Sequence, residues 1–174
     1  MLECRKLDSK NVKALLLFNR EQLIYDIRNV AYVEGDIMPE DQQHERHTVQ
    51  DIGEAGNIDR VTRVLDLAHS ECVEWLYPFT KRRINNDCLD DRLREKKVYS
   101  IYMTVPPDFS QTTLNAIEEL VHEYLVCSAL ADWLSIANPK KATVWREKME
   151  ELKTSINNKP RLRRGRLRIG KHPF

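Results

Sequence analysis

Ser110-Gln-Thr-Thr-Leu-Asn-Ala-Ile-Glu-Glu-Leu-Val-His-Glu-Tyr-Leu-Val-Cys-Ser-Ala-Leu-Ala-Asp-Trp-Leu-Ser-Ile-Ala-Asn-Pro139 is the stretch that decides the fold. Leu114, Ile117, Leu120, Val121, Tyr124, Leu125, Ser128 and Ala131 recur at steps of three and four residues, the spacing of one helical face. Ser110 stands where a helix cap belongs, and Asn138-Pro139 breaks the pattern. Proline also suits the first position of a new helix. Ala142, Trp145, Met149 and Leu152 carry the helical period on to about Ile156. A long helix, a two-residue break and a second amphipathic helix predict a C-terminal helical hairpin.

Two further helices are predicted upstream. Asn19-Arg-Glu-Gln22 has the form of a capping box, and Leu23, Ile27, Val30 and Ala31 share a face up to about Val33, with Gly35 as the stop. Asn57 or Asp59 is placed to cap a helix running to about Tyr77. Its Ile58, Val61, Val64, Leu65, Ala68, Cys72, Trp75 and Leu76 gather on one side at 100° per residue. Burial is expected for Trp75, Tyr124 and either Trp133 or Trp145. Between these helices, residues 35–57 are polar and read as a long loop, either partly mobile or ordered only against a partner.

Val98 to Val105 is β-branched and aromatic, and Pro106-Pro107 closes it, so it reads as a strand with Tyr99, Ile101, Met103 and Val105 on one face. One strand does not stand alone. Met1–Leu7 is the expected intrachain partner, with a neighbouring subunit as the other candidate. Val12–Phe18 is too short for periodicity to separate helix from strand. The expected fold is therefore mainly α: a helical bundle with that hairpin, a minor β element at 98–105 and an extended basic arm. The division is a helical domain over 1–158 and an arm over 159–174.

The formal charge of +1 hides an asymmetry. Lys159 to Phe174 holds seven Lys/Arg and no acid; the remaining 1–158 holds 21 basic and 27 acidic residues, a balance of −6. An acidic body carries a basic arm. No apolar run approaches the ~18–20 residues that cross a bilayer, so no membrane partner is expected. The N-terminus lacks the apolar stretch of a signal peptide, which predicts a cytoplasmic protein. The four cysteines are widely spaced, as reduced thiols are, and Cys72 and Cys127 are expected to pack as small hydrophobes.

Asp66-Leu-Ala-His69 and Glu119-Leu-Val-His122 both match carboxylate-x-x-His, a spacing used by di-metal helical bundles whose ligands all point inward. On the helical wheel Glu119 falls roughly 150° from the apolar stripe and Asp66 falls off its own helix's apolar arc. The expectation is solvated faces, with no metal and no cofactor. His44-Glu-Arg-His47 and His69-Ser-Glu-Cys72 offer half-sites for zinc with nothing to pair them; His69 reads as a hydrogen-bonded boundary residue. No nucleophile elbow or phosphate-binding glycine loop is present, and five glycines leave little room for one. No catalytic residue is assigned.

The arm is the clearest functional feature. Arg161, Arg163, Arg164, Arg166, Arg168 and Lys171 supply charge suited to phosphates or to an acidic partner. Arg164, Arg166 and Arg168 alternate with Gly165, Leu167 and Ile169, a pattern that suits an extended segment docking on a sheet edge or groove. Leu167 and Ile169 are its apolar anchors. A disordered solubilising tail is the plainer alternative.

Val105-Pro-Pro-Asp-Phe-Ser110, Leu120-Val-His-Glu-Tyr-Leu125, Ala131-Asp-Trp-Leu-Ser135, Asn138-Pro139, Trp145-Arg-Glu-Lys-Met-Glu150 and the closing Lys171-His-Pro-Phe174 resemble small helical neck proteins of tailed bacteriophages. These are the head–tail connectors or adaptors of prophage clusters, including those of Bacteroides-type bacteria. Val61-Thr-Arg-Val-Leu-Asp-Leu-Ala68 looks similar to the same group's central helix. The likeness covers about two-thirds of the chain and consists of packing residues and a tail. It implies a structural virion protein that forms a homo-oligomeric ring below a portal, with other neck or portal proteins as partners. The place would be the bacterial cytoplasm during assembly, then the virion. A nucleic-acid-binding accessory protein acting through the arm is the first alternative, with DNA as partner; a carboxylate–histidine metal enzyme is the second.

Overall fold

Helix α4, Gln111–Ala137, is the axis of the molecule. Every residue from Tyr124 to Ala131 is buried, so this part of the helix has no water-facing side. A helix that is apolar all round has to be enclosed by other elements. Four helices do so: α1 (Arg20–Asp36), α2 (Gln43–Gln50), α3 (Ile58–Trp75) and α5 (Pro139–Leu162) all contact α4. The computed structural model describes residues 11–77, 79–82 and 96–162, and the fold is mainly helical. By length and composition alone α4 would also span a bilayer; here its centre is covered by the other helices instead.

The hairpin of α4 and α5 forms as expected. Asn138 ends α4, and its side-chain oxygen accepts from the Lys141 amide at 3.3 Å, capping α5 behind Pro139. α5 runs on beyond Ile156 through Pro160 to Leu162, so residues 159–162 belong to the helix and not to an extended arm. Pro160 is buried beside Phe79, Pro106 and Phe109, near the start of α4. A proline in the last turn removes only one terminal backbone bond, which packing offsets there.

β1 (Val12–Asn19) pairs antiparallel with β2 (Val98–Val105), with Leu16 opposite Ile101 and Phe18 opposite Tyr99. The ambiguous apolar segment is thus the strand partner. Met1–Leu7, expected in that role, lies outside the described residues. The inner face packs on α3 and α4: the Tyr99 ring lies 5.4 Å from that of His69, and Phe18 lies 6.5 Å from His122. Helices behind one face give a two-stranded sheet the support it lacks alone.

The largest departure from expectation is 35–57. This segment is no loop: it continues α1 to Asp36, then forms a short 3-10 turn, α2 and a second 3-10 turn. Gly35 lies buried inside α1, where a Cβ would come within 2.7 Å of Gln50 Cγ and 3.1 Å of the Arg46 carbonyl oxygen. The glycine lets α2 approach; it does not stop the helix. Arg46 closes the end of α1, its Nε donating to the Gly35 carbonyl at 3.2 Å and its Nη2 to Asp36 at 3.1 Å. Met38, Val49 and Ile52 are the segment's only apolar plugs, and all are buried. Three scattered side chains leave no periodic signal, yet each fully buried one contributes about 1.5–3 kcal/mol.

Two caps also differ. Asn19 accepts from the Glu21 amide at 2.9 Å, but Gln22 turns to Asp26 and the box is only half made. Asn57 precedes α3 with its amide donating to the Asp51 carbonyl at 2.8 Å. Tyr124 and Trp133 are buried as expected, while Trp75 and Trp145 are half-buried.

Trp133 joins the axis to α2. Its indole N–H donates to the carbonyls of Thr48 and Val49, both at 3.1 Å. These lie among the last carbonyls of α2, which have no partner within their own helix. Trp133→Phe keeps an aromatic ring, though a smaller one, and removes the donor. It should cost about 1–3 kcal/mol in urea unfolding and speed amide exchange in α2 more than in α4. Equal exchange in both helices would show that the indole does not hold α2.

Candidate interaction surfaces

The residues singled out for chemistry do not converge. Asp66 pairs with Lys96 at 2.9 Å, and Glu119 is exposed. His69 Nε2 lies 3.1 Å from the Ser100 carbonyl, so the ring ties α3 to β2 as a hydrogen-bonded boundary residue. His44 and His47 are exposed and lie on α2, a helix and not a loop. Among the described residues no three His, Cys, Asp or Glu side chains gather as a metal site.

The one carboxylate–histidine contact among the described residues joins residues that the sequence does not pair: His122 Nε2 lies 3.0 Å from Asp26 Oδ2. Such a dyad orients an imidazole for base catalysis when a nucleophile stands beside it. The groove there is lined by Leu17, Phe18, Asn19, Gln22, Glu118 and Glu119, with no hydroxyl or thiol. The pair links α1 to α4. The buried thiols are equally unsuited to attack: burial raises the Cys72 pKa and pushes that of Cys127 up to about 12, leaving little thiolate near neutrality.

An open groove of about 510 Å³ runs between α3, α4 and α5. Two of its polar residues, Asp132 and Glu71, are bonded to neighbours, while Arg63 and Arg146 line it as well. Arg60 grips Asp132 through two bonds of 2.7 and 3.1 Å, and the Tyr124 hydroxyl donates to Glu71 at 2.7 Å. Burial, then that bond to Glu71, raises the tyrosine pKa.

What the surface does carry is exposed apolar area, grouped on the sheet and on α1, with single side chains such as Leu67, Ile136 and Val144 elsewhere. β1 is apolar on both faces. Leu16 and Phe18 enter the core, while Leu15 and Leu17 point outward with Tyr102 of β2, each 46% to 54% exposed. Tyr102 sits directly opposite Leu15, and Arg82 lies over its ring at 4.6 Å. The outer side of α1 carries Tyr25, Tyr32 and Val33, followed by Ile37 at its C-cap, 53% to 65% exposed. Tyr25, Asn29, Tyr32, Val33 and Asp36 follow helical spacing on the side opposite Leu23, Ile27 and Ala31. That second stripe is written in the sequence and is masked there by the stronger inward pattern. Of the arm residues expected to bind a partner, Arg161 occupies the last turn of α5. Arg163, Arg164, Arg166, Leu167, Arg168, Ile169 and Lys171 lie outside the described residues.

The pH dependence of stability follows from His69. Burial, the largest influence, lowers its pKa, and Lys96 adds to this, against the opposing Ser100 carbonyl and Asp66. The unfolded chain therefore binds the proton more readily, so the stability from His69 is complete above about pH 6.5 and is lost as pH falls through the lowered native value. His69→Gln keeps a donor for Ser100 and removes the titration. Its urea midpoint should fall less than that of the parent between pH 8 and pH 5; an identical fall would exclude His69 as the cause. Compared with known proteins, the chain matches no family model, no curated protein and no solved structure.

Proposed function

We propose that this chain is a non-enzymatic assembly protein of a tailed phage or prophage particle, a head–tail connector or adaptor that joins copies of itself into a ring at the portal. The observation that carries the assembly reading is the exposed apolar surface on a molecule whose core is already closed. Leu15, Leu17 and Tyr102 on the sheet, and Tyr25, Tyr32, Val33 and Ile37 along α1, remain in contact with solvent among the described residues. Adjacent exposed apolar groups mark interaction sites, and tyrosine is favoured at their centres. Two different patches suit a head-to-tail contact, the kind that closes into rings. The likeness in the C-terminal half supports the reading of a phage particle.

A second reading, a nucleic-acid accessory protein, is favoured by one observation: the seven Lys/Arg without an acid from Lys159 onward. Binding of that kind weakens steeply with salt. The metal-enzyme reading has no gathered ligand set in its favour among the described residues.

Light scattering and electron microscopy of the full chain test the proposal. The expected result is a discrete closed oligomer with a central opening, with portal and capsid genes beside the coding sequence. Leu17→Asp with Tyr102→Ser should weaken association at least about tenfold, since each buried apolar side chain is worth about 1.5–3 kcal/mol, and leave the helical circular dichroism unchanged. A chain that stays monomeric at every concentration, yet binds DNA in a salt-sensitive way, would favour the second reading instead.

A further inference from the structure

The charge on this molecule is separated along its length. Seven acids stand against one Arg between Glu34 and Glu54, the stretch that ends α1 and forms α2. Glu34 is held by Lys141 and Asp36 by Arg46. Glu40, Asp41, Glu45 and Glu54 are exposed and carry no ion pair among the described residues. Tyr32, Val33 and Ile37, which lead into this stretch, form the exposed apolar end of the α1 stripe, and Arg28 lines the groove at Tyr32. This face is thus an unpartnered helix surface with an acidic border.

The acidic face sits at the hairpin end of the molecule. Lys141, in the first turn of α5, bonds to Glu34, and Ala142 packs with Met38 and Val49. α5 then runs 24 residues to Leu162, a rise of about 36 Å. The segment that follows, 163–174, starts from the opposite end, where Pro160 packs against Phe79 and Phe109. It has five Lys/Arg, no acid, and Leu167, Ile169 and Phe174 between the charges. Twelve residues span at most about 40 Å when fully stretched. To reach its own acidic face, the segment would have to run almost straight back along the whole body. The corresponding face of a copy placed end to end lies close by.

We propose that the outer face of α1, from Tyr32 through Ile37, with the acidic border supplied by the 3-10 turn and α2 that follow, is the docking site for the basic C-terminal segment of a second copy. This rests on the assembly reading above and names its contact. The apolar side chains of the segment cover Tyr32, Val33 and Ile37, while its arginines meet Glu40, Asp41 and Glu45. Exposed ion pairs are weak singly, so the apolar contacts set the position and the charges set the direction. Because donor and acceptor sit at opposite ends, each bound copy presents a fresh face to the next, which is a heterologous contact.

Charge exchange in the full chain tests this. One variant carries Glu40→Lys, Asp41→Lys and Glu45→Lys; the other carries Arg163→Glu, Arg164→Glu and Arg166→Glu. Each alone should self-associate at least about tenfold more weakly than the parent, a change of about 1.4 kcal/mol, with its circular dichroism unaltered. Mixed at equal concentration they should associate again, because the tail of each now complements the face of the other. Full self-association by both single variants would overturn the docking site and leave the assembly reading standing. Failure of the mixture to associate, with cross-links from 163–174 to α2 found only within one chain, would show that the segment folds back on its own body. Salt-sensitive DNA binding lost in the tail variant, with assembly intact, would assign the segment to phosphate. A parent chain that is monomeric at every concentration would bring down the assembly reading and this contact together.

Discussion

Between Tyr124 and Ala131 helix α4 faces no water, and everything else in the molecule is arranged to make that possible. Leaving such a stretch uncovered would expose a continuous apolar cylinder, at roughly 25 cal/mol for each Å² of surface. α3, α5, α1 and α2 each take a sector. The sheet adds Tyr99, Ile101 and Met103 to the same core, in the layer that Leu23, Leu65 and Leu125 also enter. A smaller cluster of Met38, Val49, Leu134 and Ala142 closes the hairpin end.

That closure explains how a charged segment becomes a helix. Residues 43–50, Gln-His-Glu-Arg-His-Thr-Val-Gln, hold helix formers in Gln43, Glu45, Arg46 and Gln50 but a single buried apolar residue and so no pattern to mark a face. α2 forms because Val49 fills a gap beside α4 and α5, Trp133 satisfies two of its final carbonyls, and Gly35 leaves room for its backbone. The polar side chains that the core does not need are left outside. An acidic surface therefore lies at the hairpin end, far along α5 from the basic terminus.

The same economy separates structure from interaction. The polar groups near the core mostly bond to each other: His122 to Asp26, Tyr124 to Glu71, Arg20 to Thr62. Apolar side chains left in contact with solvent gather on the outside of the sheet and of α1. Those surfaces suit contact between macromolecules better than chemistry on a small molecule.

The hairpin, the amphipathic α3, the inward face of β2 and the opposed charges of body and terminus were determined by the sequence alone, since each depends on a local period, a breaker or a simple count. The partner of β2 was not, because a five-residue apolar run has the same composition as strand or helix. Only the arrangement of Leu16 and Phe18 against α3 and α4 selects the strand. α2 was invisible for the same reason: one buried apolar residue, Val49, carries a helix only when α4 supplies Trp133 and α1 supplies Gly35. The pairing of His122 with Asp26, 96 residues apart, likewise has no local signature. Periodicity reports the face a segment buries, whereas which elements meet is decided by long-range packing, and so is the direction in which the leftover charge and apolar surface point.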